Sequence, residues 1–489
     1  MEIKFIELSV IVVYLIFMVA ICIYFHKRAQ ASVSGFWSAD ANIGWVVNSF
    51  AVLATVMSGG GMLGNLGVGA SMGIVYILMS SYAASWGVGL AASIIVPPIR
   101  KSKARTLSDF MHIRYESKIV ACLVAMVITI SYTVYLVAQM KAAGTVSEYV
   151  LGIDFTTGMI ATWVVFTLYT VAGGMLAVTW NDFFQGVLMM AVVVISMGAA
   201  LITFGGYGNL MAQATQAFPN IGTWHLPTVS YVGFFAIWFL VNLCAPMVLM
   251  RVATAKSPYS AGLGMQGAML LLTIFTIGNL AITSPAARAL AGPDPLTNND
   301  AYYLLFVAKC FGPIMKGVVG AAIFAAIMST AAGLLLAAAA AFSNDILVRL
   351  VKMTPKGETR AATFSCIAIS LVVLLMSFDP PPLLSILYAQ AMSFLVVSLF
   401  GPFILGLWWK RATPAGAGAG VVVGALSFVV MKFLMTLPQF AETVIGVPLS
   451  IAAVVVVSLM TPRPSLEKVR QIESWHQIEA SIGPDAAGA

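Results

Sequence analysis

Long apolar runs separated by short polar segments constrain this 489-residue chain more than any other feature. Thirteen runs can be marked, at about 5–25, 45–70, 74–97, 119–147, 156–177, 183–205, 229–250, 264–286, 314–345, 362–378, 383–408, 415–436 and 443–460. Nearly all reach the roughly 18 residues that an α-helix needs to cross a hydrocarbon core. Outer-membrane barrels show short alternating segments instead. Only 9% of residues are charged and 60% are hydrophobic. A soluble domain carries about 25% charged residues, so a soluble enzyme, a nucleic-acid-binding domain and a disordered chain are excluded. The expected class is an all-α polytopic membrane protein. The first run follows Met1-Glu2 without a small-residue cleavage site, so it is expected to be a membrane span and not a signal peptide.

An odd number of spans places the termini on opposite sides. Nineteen of the 25 Lys and Arg residues fall in segments that share one side if the N-terminus is outside. The other six are Lys4, Lys141, Arg288, Lys309, Lys316 and Lys432. Lys and Arg accumulate on the cytoplasmic side, so an outside N-terminus and a cytoplasmic C-terminus are expected, in a plasma membrane of the bacterial inner type. Arg251 counts here among the cytoplasmic loop cations. Residues 98–118 are basic and predict an interfacial helix. The five cysteines are widely spaced in apolar runs and predict free thiols.

Seven glycines fall between positions 59 and 73, beginning with Ser58-Gly59-Gly60-Gly61. Glycine weakens a helix interior, and open backbone at membrane depth is tolerated only inside protein or along a cavity. An unwound helix is therefore expected here, with close packing through Gly60 and Gly64 as the competing explanation. The seventh span has a second interruption, Asn242-Leu243-Cys244-Ala245-Pro246, where proline removes a backbone donor. The two breaks lie five spans apart. That spacing predicts two inverted five-helix repeats, each opening with a discontinuous helix. The expected organisation is 1–44 for the first helix and its loop, 45–205 and 229–409 for the repeats, 410–461 for two additional helices, and 462–489 for a tail.

In the ninth span Ala326, Ser329 and Thr330 share one helix face. Two hydroxyls beside a carbonyl suit a small hard monovalent cation better than a transition metal. Back-bonding of these hydroxyls to their own helix is the alternative. Asp182, after Asn181 at the expected start of the sixth span, is either an N-cap or a carboxylate on an ion path.

Four motifs in order resemble the sodium:solute symporter family. They are Ser58 to Gly64, the stretch Gly173 to Gln185, the Ala326/Ser329/Thr330 helix, and Gly401-Pro402-Phe403 through Trp408-Trp409-Lys410-Arg411 to Gly416. The resemblance implies thirteen helices in the LeuT-like amino acid–polyamine–organocation transporter fold. It also implies a sodium site formed by the carbonyls of Ala54, Met57 and Ala326 and the hydroxyls of Ser329 and Thr330. This ligand set is the one seen in the family's proline carriers. Those carriers have an acidic residue where this chain has Val56 or Met57, just before Ser58. Sugar carriers of the family have a glutamine at Gly61. The sialic acid carrier uses serines for a second sodium where this chain has Ala332 and Gly333. One coupled sodium is therefore expected, with Asp182 on its exit path.

Tyr169 to Gly174, Asn181 to Gly186, Ala325 to Thr330 and Pro380-Pro381 are similar to the pantothenate-carrying branch, and Tyr135 to Met140 to the acetate-type branch. Free amides in a glycine-rich break also favour an anionic group. The expected activity is sodium-coupled symport of a small monocarboxylate into the cell, without enzymatic chemistry, with sodium as the coupling ion and no other cofactor. Candidate solute contacts are Ser58, Gly59, Gly60, Gly61, Gln139, Asn242, Tyr388 and Gln390. The expected partners are sodium, the organic acid and the bilayer, with no nucleic acid and no obligate protein partner. Uptake of proline or another zwitterion, proton coupling, and a transporter-like sensor are the alternatives.

Overall fold

The computed structural model describes residues 4–29, 39–104, 106–347, 354–378 and 384–477. These residues form an all-helical molecule with no β-strand among them. Among the described residues, ten helices are long and apolar enough to cross a membrane, and one further pair is bent by 67°. Two shorter apolar helices, Phe155–Val171 and Arg360–Met376, stand where the fifth and tenth spans are expected.

In chain order the helices are α1 (Phe5–Ala29), α2 (Trp45–Val56), α3 (Asn65–Met72), α4 (Ile74–Ile94), α5 (Val96–Ser102), α6 (Leu107–Tyr115), α7 (Lys118–Val146), α8 (Phe155–Phe204), α9 (Tyr207–Ala217), α10 (Thr228–Cys244), α11 (Pro246–Thr254), α12 (Pro258–Thr276), α13 (Ser284–Ala291), α14 (Tyr302–Cys310), α15 (Pro313–Ala340), α16 (Pro355–Met376), α17 (Leu384–Trp408), α18 (Pro414–Phe433), α19 (Ala441–Met460) and α20 (Leu466–His476). Wider π-helical turns continue α7, α12 and α15, and another opens α3 at Gly60–Gly64.

Local sequence explains several of these limits. Ser257-Pro258 and Thr413-Pro414 each pair a hydroxyl cap with proline in the first turn. Ser257 accepts from the Ser260 amide at 3.0 Å and Thr413 from the Gly416 amide at 3.2 Å. The cap satisfies an orphan amide, and proline occupies a position whose own N–H has no helical partner. The expected fifth and sixth spans are not separated by a loop. They form α8, 50 residues long and kinked at Gly174 (φ 54, ψ −162), a conformation that favours glycine.

The Ala-rich α15 is the buried axis of the molecule, with every residue from Val319 to Ala340 buried. It packs against α1, α2, α7, α8 and α16. Small side chains let these helices approach closely, which is how packing within a bilayer gains dispersion contact.

The basic segment 98–118 forms two short helices, α5 and α6. Arg114 of α6 is buried and donates to the carbonyls of Gly406 (2.6 Å), Trp409 (3.2 Å) and Ala412 (3.1 Å). It thereby satisfies orphan carbonyls at the end of α17. Burial lowers the guanidinium pKa from its ordinary value. The tail adds α20, whose Lys468 ammonium donates to the Ile113 carbonyl at 2.6 Å and whose His476 ring meets the Leu407 carbonyl at 2.8 Å.

Candidate functional site

The break in the second span is shorter than the glycine run suggests. Helix α2 ends at Val56, and Met57 and Ser58 leave the helical conformation, although Met57 N–H still donates to the Leu53 carbonyl at 2.8 Å and the Ser58 carbonyl accepts from Met62 at 2.9 Å. Gly60–Gly64 are wound as a π-helix, not unwound. Their lack of side chains serves close approach. A Cβ on Gly59 would lie 2.4 Å from Ile327, and one on Gly60 would lie 2.5 Å from the Tyr388 ring. Packing and helix interruption thus operate together, at adjacent residues.

The interruption redirects backbone groups. In a continuous helix the amides of Gly59 and Gly61 would bond the carbonyls of Thr55 and Met57. Here Gly59 N–H donates to Gln139 Oε1 at 3.1 Å, and Gly61 N–H to Ser58 Oγ at 3.0 Å. The freed carbonyls turn toward α15. Ser329 Oγ lies 2.8 Å from the Ala54 carbonyl and 3.2 Å from that of Ala326. Thr330 Oγ1 lies 3.3 to 3.4 Å from the carbonyls of Ala54, Thr55 and Met57. Ala54, Met57, Ala326, Ser329 and Thr330 are therefore brought together. Ala54, Ala326, Ser329 and Thr330 have no exposed surface, and Met57 retains 6%. The cluster contains neutral oxygens alone. Among the described residues no group of three His, Cys, Asp or Glu side chains is placed to hold a metal.

Next to this cluster lies a buried ion pair. Asp182 is not at a helix start, because α8 runs on from the Gly174 kink two turns earlier. Arg251 is not a loop cation, because the seventh span continues through α11 to Thr254. The Arg251 guanidinium pairs with Asp182 Oδ2, and neither side chain has exposed surface. Arg251 also donates to Thr55 Oγ1 at 3.0 Å and to Thr179 Oγ1 at 2.8 Å. Asp182 Oδ1 and the Asn181 amide group have no hydrogen-bond partner among the described residues. A buried guanidinium demands this many acceptors, since an unpaired charge at membrane depth is strongly disfavoured. In the sequence, Arg251 looks like the first loop residue after an apolar run, so its burial was not legible there.

A small cavity of about 10 Å³ adjoins the break and has roughly the capacity of one water. Ser58, Gly61 and Tyr388 of the expected contacts line it, joined by Asn65, Ser80, Ser81 and Trp238. Tyr388 donates its hydroxyl to Asn65 Oδ1 and stacks on Tyr135, with ring centroids 5.4 Å apart. Gly59, Gly60 and Gln139 do not line the cavity. Asn242 turns away and donates to its own helix at Trp238 O, 2.7 Å distant. Gln390 is partly buried and does not line the cavity. Pro380-Pro381 lie outside the described residues. Two buried donors near the break, Trp238 Nε1 and Gln139 Nε2, have no acceptor among the described residues. No carboxylate side chain lines the cavity.

The profile described as the sodium:solute symporter family matches residues 36–424. Sodium/proline symporters of several Staphylococcus aureus strains, among them JH9 and USA300, are 26% identical to this chain, covering 94% of it and 95% of the relative. A sodium-coupled sialic acid symporter, solved in a substrate-bound outward-open state, shares the fold with a TM-score of 0.81 at 19% identity. That likeness covers 94% of this chain and 99% of the other. A nucleobase-cation-symport transporter in a closed conformation is a more distant likeness, with a TM-score of 0.55 and 12% identity over 90% of this chain and 98% of the other. The residues matched include the broken second span, the Asp182 segment and the Ser329/Thr330 helix, and this chain belongs to the sodium:solute symporter family.

Proposed function

We propose that this sodium-coupled symporter carries a small monocarboxylate into the cell, with one sodium ion per cycle. The chain crosses the membrane thirteen times in this proposal, counting Phe155–Val171 and Arg360–Met376 as spans, with the N-terminus outside and two inverted repeats at 45–205 and 229–409. Sodium is held by the carbonyls of Ala54, Met57 and Ala326 and by Ser329 Oγ and Thr330 Oγ1. The observation that most supports the sodium assignment is the convergence of those five residues across a helix break. On binding, a cation replaces the Ser329–Ala54 hydrogen bond with direct oxygen contacts and pulls α2 toward α15. Such a ligand stabilises the conformation that presents all five oxygens.

The solute class is supported by the cavity wall. In this wall Trp238 Nε1 is a buried donor without an acceptor among the described residues, and Gln139 Nε2, which does not line the cavity, is a second near the break. Leaving a buried donor unpaired costs about 1–3 kcal/mol, which a carboxylate oxygen recovers. Ser58, Ser80 and Ser81 add hydroxyls, and Tyr388 adds an aromatic face. The closed cavity is too small for such a solute, so its walls must part during the cycle.

A proline-like zwitterion is the second reading, favoured by the 26% identity to sodium/proline symporters. It requires a partner for the ammonium group, and no acidic side chain lines the cavity. Proteoliposomes under an imposed sodium gradient separate the two. Uptake of pantothenate, acetate, pyruvate or lactate but not proline is the expected result. Sodium-driven uptake of proline alone would overturn the monocarboxylate assignment.

A further inference from the structure

A second concavity lies away from the helix break. A cleft of about 280 Å³ lies between the start of α1, the end of the seventh helix's π-turn, the segment around α14 and the start of α15. Its floor is apolar. Val150, Leu304 and Val307 line it and are each nearly buried. Its rim carries Lys4 and Lys316. These are two of the six cations that the charge count sets on the side opposite the basic face.

The two ammonium groups are held differently. Lys4 Nζ donates to the Tyr149 carbonyl at 2.8 Å, which fixes it over the cleft. Lys316 has neither an ion pair nor a side-chain hydrogen bond among the described residues. No Asp or Glu lines the cleft. Two like charges facing one concavity repel, and an anion placed between them removes that repulsion and gains attraction to both.

The surroundings identify where such an anion comes from. Phe5 and Ile314, beside the two lysines on the same helix ends, are 74% and 68% exposed. Large apolar side chains this exposed on span ends face hydrocarbon. The cleft therefore opens at the boundary between headgroups and acyl chains, the level at which lysines near helix ends carry their ammonium groups. Cationic rim and apolar floor match a molecule with an anionic head and a hydrocarbon body.

We propose that this cleft binds one anionic phospholipid of the outer leaflet, with its phosphate at Lys4 and Lys316 and an acyl chain along Val150, Leu304 and Val307. The lipid joins the first, fourth and ninth spans at a place where protein contacts alone leave a gap. This site is separate from the sodium and solute positions and does not depend on them.

Native mass spectrometry of the purified full-length protein tests the assignment with phosphatidylglycerol, phosphatidylcholine and inorganic phosphate as probes. One phosphatidylglycerol should survive mild activation on the unaltered protein, and phosphatidylcholine should not. The Lys4→Gln/Lys316→Gln variant should lose retention at least tenfold, while Lys4→Arg/Lys316→Arg keeps it. Sodium-dependent uptake in phosphatidylcholine vesicles reports that the Gln variant is folded. Leu304→Trp, which fills the floor and leaves the charges in place, should also displace the lipid. Equal retention of both lipids, or unchanged retention in the Gln variant, overturns the proposal. Displacement of phosphatidylglycerol by millimolar phosphate overturns the lipid assignment in favour of a free-anion site.

Discussion

Arg251 and Asp182 face each other with no solvent contact, and Thr55 and Thr179 complete the guanidinium's coordination. Removing one partner of a buried pair costs about 3–5 kcal/mol, whereas neutralising both is often tolerated. Asp182→Asn and Arg251→Gln should each reduce folded protein in the membrane severely. The double variant should recover much of it. Size-exclusion profiles and thermal unfolding of the three variants give the comparison; equal loss in all three would mean that the pair is not what holds this region.

The oxygen cluster makes a separable prediction. Ser329→Ala with Thr330→Ala removes two hydroxyls of the proposed sodium site and leaves the backbone carbonyls. The sodium concentration for half-maximal uptake should rise at least tenfold, with protein yield nearly unchanged. Uptake at saturating solute against sodium concentration is the measurement, and an unaltered curve would sink the sodium assignment.

Three adjacent glycines should respond differently to the same methyl group. Cβ positions at Gly59 and Gly60 fall 2.4 Å from Ile327 and 2.5 Å from Tyr388, while at Gly61 the nearest atom is the Met57 sulfur at 3.4 Å. Gly59→Ala and Gly60→Ala should abolish uptake or lower it more than tenfold, since overpacking costs about 1–3 kcal/mol. Gly61→Ala should fold normally and act on solute KM, because its methyl enters the cavity. Indistinguishable kinetics for all three would contradict the packing described.

For the proposed solute site, the orphan donor of Trp238 is the group to test. Trp238→Phe keeps the ring volume and removes the N–H. It should weaken solute binding about tenfold, consistent with loss of roughly 1.4 kcal/mol, and leave sodium affinity in the absence of solute unchanged. Isothermal titration with each ligand separates the effects. A Trp238→Phe protein with normal solute affinity would show that this donor does not meet the solute.

The sequence made the membrane class, the two helix breaks and the Ala326, Ser329 and Thr330 face legible, because each leaves a local mark: apolar length, a glycine run, proline, or helical spacing; Ala54 and Met57 were implied by the family resemblance alone. The break itself is displaced by one or two residues from the glycines that announce it, since glycine permits both interruption and close packing. Asp182 and Arg251 were visible individually and their pairing was not. They are 69 positions apart, and no local pattern records which distant helix supplies a counter-charge. The same holds for Trp238, Ser80 and Ser81, whose part in the cavity follows from how α4 and α10 lean on the broken span. Asn242 illustrates the opposite error: a polar residue beside a proline looks available, but its amide is consumed by its own helix one turn back.

Thr55 gives its carbonyl to Thr330 at 3.3 Å and its hydroxyl to Arg251 at 3.0 Å. One residue thus touches both the neutral oxygen cluster and the charge pair. A hydrogen bond tolerates only a few tenths of an ångström before it weakens. Any movement of α2 that loosens one side is felt on the other within the same residue. The cluster and the pair are therefore coupled through the position of one backbone segment, so a shift of Thr55 is registered at both.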